Sequence, residues 1–210
     1  MFGIRDLPLF IAAGLLLNAT PGADTLYILR RSAAQGFRGG CLAALGISAG
    51  CFVHIAAAAL GISALLLASE TAFTTIKVVG ALYLLYLGLS LLRSRQASST
   101  EGESAPPGSQ GTKIFLQGFL TNVLNPKVAL FFLAFLPQFI ESGAINKSAG
   151  ICVLGLIFVC NGTLWNILVA FAASTFSTHF DRAAPVRTWL NRTAGAMFIY
   201  FGIRLSIAVR

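Results

Sequence analysis

The sequence predicts an all-α membrane protein of six transmembrane helices, arranged as a 3+3 inverted repeat whose first and fourth helices are broken. Three observations lead there. Of the 210 residues, 56% are hydrophobic and only 10% charged, against about 25% charged in a soluble domain that must present a wettable surface. Six apolar stretches are each long enough to cross the hydrocarbon, which takes roughly 20 helical residues at about 1.5 Å each. Similar motifs also recur, in the same order, in the two halves of the chain.

The first span covers residues 7–29. Its start, Leu7 to Ala19, also has the character of a secretory signal's apolar region, with Ala19-Thr20-Pro21-Gly22-Ala23 as a crude cleavage site. Arg5 and Asp6 cancel, which leaves no basic flank, and a proline at the cut disfavours processing. The segment therefore reads as a mature span. The second span covers 42–69 and the third 72–92. Gln96 to Thr112 follows, rich in Ser, Gly and Pro, and reads as a flexible linker. It separates a first three-helix repeat, 1–95, from a second, 113–210, holding spans 114–140, 148–175 and 188–208. The second and fifth are long enough to tilt. Cys41, Cys51, Cys152 and Cys160 lie in or beside spans without metal or redox spacing, as small apolar packing residues.

The net charge of +8 does not imply nucleic acid, because the basic residues sit in short loops and not on one soluble face. They report topology. The linker side, with loops 30–41, 93–113 and 176–187, carries Arg30, Arg31, Arg38, Arg93, Arg95, Lys113, Arg182, Arg187 and Arg192, nine in all. The other side carries three, Arg5, Lys147 and Arg210. Positive residues accumulate in cytoplasmic loops, so the linker is expected inside and both termini in the periplasm.

Gly14-x3-Asn18-x2-Pro21 in the first span is answered by Gly118-x3-Asn122-x3-Pro126 in the fourth. Gly80-Ala81-Leu82-Tyr83 in the third is answered by Gly195-Ala196-Met197-Phe198 in the sixth, and Tyr86-Leu87-Gly88 by Tyr200-Phe201-Gly202. A unit of three spans used twice must have opposite orientations. In transporters the substrate site lies where such inverted repeats meet, at broken helices.

The breaks are Pro21-Gly22 and Asn125-Pro126. Proline removes an amide donor and clashes with the preceding turn. The carbonyls it frees are tolerable in a membrane only if protein groups or a wet cavity satisfy them, and Asn18, Thr20, Asn122 and Asn125 are placed to do so. Each break adjoins a charge, Asp24 or Lys127. Either costs about 2.5–3.5 kcal/mol near the centre of a span, so neither is expected to face lipid. A carboxylate and an ammonium suit a zwitterion, Asp24 receiving an α-amino group and Lys127 an α-carboxylate. The competing reading is that the two pair with each other and brace the broken helices. In Gly46-x3-Gly50-x3-His54, glycines four apart form a close-packing stripe that would aim His54 into the bundle. An imidazole there could carry a coupling proton, or simply bond a carbonyl; Asp24 competes for the proton role.

The segment Thr20-Pro21-Gly22-Ala23-Asp24-Thr25-Leu26-Tyr27, with Arg30-Arg31 and Gln35-Gly36, resembles the N-terminal signature of the LysE/RhtB family of amino-acid exporters. That family usually has proline where this chain has Ala23. Gly46-x3-Gly50-x3-His54 and Gly118-Phe119-x2-Asn122-x2-Asn125-Pro126-Lys127 resemble it too, and the likeness extends over the whole chain. The resemblance implies proton-driven export of amino acids or close derivatives across the bacterial inner membrane. It is nearer the homoserine, threonine and leucine branch than the lysine exporter.

The alternative within that superfamily is divalent metal-ion efflux, which wants several carboxylate, His or Cys ligands converging within the spans. Only Asp24 and His54 are available, beside a repelling Lys127. An intramembrane enzyme would need an activated nucleophile or a motif such as HExxH, and the sequence holds neither. The expectation is thus a secondary transporter with no catalytic residue, metal or cofactor. Its partners are an amino acid, protons and the lipid bilayer, with a homodimer as one possible assembly.

Overall fold

A computed structural model of the protein describes residues 3–68, 70–93, 111–141, 143–175, 192–193, 195–200 and 202–203. Among these no β-strand forms, beyond one isolated bridge between Ile4 and Ile140. The helices are α1 (Leu7–Ala19), α2 (Ala23–Ala68), α3 (Glu70–Arg93), α4 (Gly111–Val123), α5 (Pro126–Leu130) and α6 (Lys147–Thr175). A π-helical turn, Phe131–Phe135, and a 3-10 turn, Leu136–Phe139, follow α5 directly. Most of the expected linker 96–112, the loop 176–187 and much of the sixth span lie outside the described residues; within that span, 192–193, 195–200 and 202–203 are helical.

The first expected span is two helices. α1 ends at Ala19, Thr20 turns extended at φ −69° and ψ 120°, and α2 starts at Ala23. The loop expected at 30–41 is not there. Helix continues through it except at Gln35 and Gly36, where Gly36 takes φ 66°, a left-handed conformation that a residue without a Cβ adopts freely. α2 folds back on itself at that point. Ser32 meets Gly40, Tyr27 shares the surface of Gly118 with Ala43 and Ile47, and Asp24 and Gly50 both reach Asn122. A helical hairpin closed by two residues thus replaces a twelve-residue loop; Arg30 and Arg38 are exposed on either side of its turn, while Arg31 is buried.

The fourth expected span is also divided, with α4 and the Pro126–Phe139 segment meeting at 49°. Pro137 has no amide to continue the ladder. The chain just before it loosens into the π turn, with the Leu136 amide reaching Phe131 O, and then tightens to 3-10. Among the described residues, α6 and the α2 stretch Ala23–Gly61, which holds the fold at Gln35–Gly36, are long and apolar enough to cross a bilayer, and the bent α4 pair makes a third if counted as one broken span. α4 exposes Leu116 and Leu120, followed by Leu124 just past its end, and α6 exposes Leu156, Leu164 and Leu168, each set at helical spacing. Continuous apolar stripes of this kind mark a surface that faces lipid.

Inside, Phe10, Phe131, Phe132, Phe135, Phe139 and Phe158 form one buried aromatic cluster, with ring centroids 4.7–6.0 Å apart. Glycines set the helix contacts around it. A Cβ on Gly14 of α1 would lie 3.1 Å from the Phe158 ring of α6, and one on Gly118 of α4 2.6 Å from Ala43 O of α2. Gly162 of α6 backs onto Asn18, as Gly50 of α2 backs onto Asn122. Gly88 of α3 and Gly195 face each other's carbonyls at 2.7 and 2.9 Å from their would-be Cβ atoms.

Candidate functional site

The two breaks meet. Between the end of α1, the two arms of the α2 hairpin, α5 and α6 lies a cavity of about 20 Å³, room for roughly one water molecule and far too little for an amino acid. Asn18, Asp24, Asn122 and Lys127 line its polar side, together with Ser48, Thr163 and Asn166. Leu17, Ile47, Val128, Phe158 and Val159 form the apolar wall, which continues into the aromatic cluster.

Each break is satisfied differently. In an unbroken helix Leu17 O would accept from the amide of residue 21, but that residue is Pro21. Lys127 supplies the missing donor, its Nζ lying 3.1 Å from Leu17 O and 3.0 Å from Thr20 O. Gly22 makes room, since a Cβ there would sit 3.2 Å from that ammonium. The cation also faces the C-terminal, negative end of the α1 dipole. At the second break Asn125 caps α5 itself, its Oδ1 accepting from the Lys127 amide at 3.0 Å.

Asp24, in the first turn of α2, accepts from Asn122 Nδ2 at 2.8 Å through Oδ2, while its buried Oδ1 has no partner. Asn18 Nδ2, Asn122 Oδ1 and Asn125 Nδ2 are likewise buried without partners. Asp24 and Lys127 therefore share the cavity, yet each bonds to other groups. Each reaches across to the opposite half: Asp24 to the end of α4, Lys127 to the end of α1.

Of the sequence-predicted residues, Asn18, Asp24, Asn122 and Lys127 come together in the cavity wall. Pro21, Gly22 and Pro126 form the breaks. Thr20 is buried, with its hydroxyl donating to Leu16 O at 2.7 Å, so its side chain serves α1 and only its carbonyl meets Lys127. Asn125 is spent on its cap. His54 lies outside the lining, with Nε2 3.0 Å from Asn122 O and its ring stacked on Phe132. The glycine stripe does aim it inward, as its spacing requires. Among the described residues no three His, Cys, Asp or Glu side chains converge as a metal site.

Three lining residues escaped the sequence reading. Ser48 and Thr163 join α2 to α6, their hydroxyls 2.6 Å apart, and Asn166 lies one turn beyond. The available signal was a run of Gly162, Thr163 and Asn166 on one face of an otherwise apolar helix. A second polar cluster lies at the turn end of the hairpin, away from the aromatic one. Buried Arg31 donates to the Tyr27 hydroxyl at 3.2 Å and to Gln117 Oε1, and Tyr27 donates to Ile114 O at 2.8 Å.

Residues 15–208 match the family described as LysE type translocator. An uncharacterized membrane protein of Pseudomonas aeruginosa is 29% identical over 98% of this chain and 97% of its own length. A leucine efflux protein of Enterobacter sp. is 26% identical over 98% and 97%, and one of Salmonella typhimurium 27% over 98% and 96%. No solved structure matches. The chain belongs to the LysE type translocator family.

Proposed function

We propose that this LysE-type translocator exports amino acids or close derivatives across the bacterial inner membrane, exchanging them for protons by alternating access. The observation that carries the reading is the placement of Asp24 and Lys127, opposite charges not bonded to each other, in one cavity between two helix breaks. An intramembrane carboxylate and ammonium retained side by side mark a substrate pathway. Asp24 receives the α-ammonium and Lys127 the α-carboxylate, with Asn18, Asn122 and Asn166 bonding the remaining polar atoms. The apolar wall of Leu17, Ile47, Val128 and Phe158 accepts an uncharged side chain, in keeping with relatives named for leucine efflux.

Six spans in a 3+3 inverted repeat fit the helix contacts. Asn18 and Asn122 are equivalent in the sequence repeat, and each is backed by a glycine of the other half, Gly162 or Gly50. Gly88 meets Gly195 O, and its repeat equivalent Gly202 meets Ala81 O, one residue beyond Gly195's equivalent Gly80, which supports the relation between halves. The nine-to-three excess of basic residues puts the linker in the cytoplasm and the termini in the periplasm. The Tyr27–Arg31–Gln117 cluster then closes the cavity inward and the aromatic cluster closes it outward. The proton passes through Asp24 or His54, which are joined through Asn122: its carbonyl meets His54 and its side chain meets Asp24.

The test is export from cells expressing Asp24→Asn or Lys127→Ala, with the substrate chosen by rescue from toxic concentrations of single amino acids. Both variants are expected in the membrane without efflux. Wild-type efflux from both, at equal protein level, would remove Asp24 and Lys127 as the site, and no efflux by the unmodified chain would remove the exporter reading.

A further inference from the structure

We infer that the two carbonyls at the first break, Leu17 O and Thr20 O, are the seat of the substrate's α-ammonium, and that Lys127 is a built-in occupant which the substrate displaces. The inference rests on the exporter reading for its ligand, but on geometry for the seat. Pro21 denies Leu17 O its i+4 amide, leaving it only a long contact from the Thr20 amide at 3.3 Å, and the extended backbone at Thr20 turns that residue's carbonyl out of the ladder. Two such acceptors within reach of one donor, at the negative end of a helix, recognise a primary ammonium by number and direction of N–H groups. A primary ammonium is what they hold, at 3.1 and 3.0 Å.

The surroundings are shaped to the same group. Gly22 leaves open the space that a Cβ would close, 3.2 Å from Nζ and 3.6 Å from Cε. Asp24 lines the same cavity with Oδ1 unpartnered, ready to add a third, charged acceptor to an ammonium in the seat. A substrate that brings its own ammonium therefore replaces Lys127 contact for contact. The displaced Nζ, still in the cavity, becomes the partner of the carboxylate that entered with it. An amine lacking a carboxylate gives Lys127 nothing in exchange. That is how the site selects an amino acid over an amine.

Thermal unfolding of the purified full chain in detergent reads the seat without transport. Lys127→Met keeps the length of the side chain and empties the seat; its midpoint is expected to fall, and to rise again with methylammonium but not with tetramethylammonium, which has no N–H. Leucinamide, an α-ammonium without a carboxylate, is expected to restore the midpoint at lower concentration than methylammonium, and to leave wild type unmoved. Pro21→Ala returns an amide to Leu17 O, so in that background Lys127→Met is expected to lose most of its effect. Equal response to both methylated cations, or none, overturns the seat. Leucinamide inert where methylammonium acts overturns its assignment to substrate. Export is measured separately: wild-type export by Lys127→Met would remove Lys127 from substrate binding, no amino-acid export by the unmodified chain would sink the exporter reading, and the melting result decides the seat in either case.

Discussion

The two helix breaks look alike in sequence and are held in unlike ways. At the second, Asn125 caps the helix that follows it, from within the break. At the first, the donor missing at Pro21 is replaced by Lys127, a residue 107 positions from Thr20 and in the other half of the molecule. Neither break is complete alone, however: Asn122 O, which Pro126 deprives of its i+4 amide, takes His54 Nε2 of the first half at 3.0 Å. Motion of one half against the other would leave α5 capped and unseat α1. The first break, held by a flexible ammonium in the cavity wall, is thus the natural place for a substrate to intervene; the second is held by its own cap and by an imidazole outside that wall.

The largest effect should come from the side chain that completes the first break. Lys127→Ala is expected to cut export by at least about 100-fold, since removing one partner of a buried charge contact costs about 3–5 kcal/mol. Asp24→Asn keeps the shape and should do the same to export with less loss of stability, which paired efflux and melting measurements would separate. Asn122→Ala removes the donor to Asp24; a hydrogen bond to a charged group is worth about 1.5–3 kcal/mol, so a loss of roughly 10-fold or more in export is expected. Asn125→Ala should be the mildest. It removes a cap worth about 1 kcal/mol, visible as a lower melting midpoint with export reduced only a few-fold. Export lost as completely in Asn125→Ala as in Lys127→Ala would erase the distinction between the breaks.

The sequence made the breaks legible because proline acts locally: wherever Pro21 and Pro126 fall, a donor is missing. It made Asp24 and Lys127 legible because ionic groups in spans are costly, and the glycine stripe legible because helical spacing is regular. It could not say where a flexible lysine ends. Lys127 reaches Leu17 and Thr20 only because the halves pack as they do. The hairpin tip was misread as a loop because Arg30, Arg31 and Arg38 suggested solvent, whereas Arg31 is buried against Tyr27 and Gln117. Ser48 and Thr163 stayed hidden because either hydroxyl can satisfy itself on the carbonyl four residues back, as both do at 2.9 and 2.7 Å. A polar residue that can hide in this way carries no sign of what it faces. The six phenylalanines of the aromatic cluster were inconspicuous among seventeen for a similar reason.

The central claim is that opposite charges at the meeting of the two breaks carry a zwitterion across the membrane. Counterflow of the labelled amino acid selected by growth rescue, in proteoliposomes of wild type, Asp24→Asn and Lys127→Ala, tests it most directly because it needs no driving force. The account predicts saturable exchange by the wild type and none by either variant. Equal exchange by all three would contradict it.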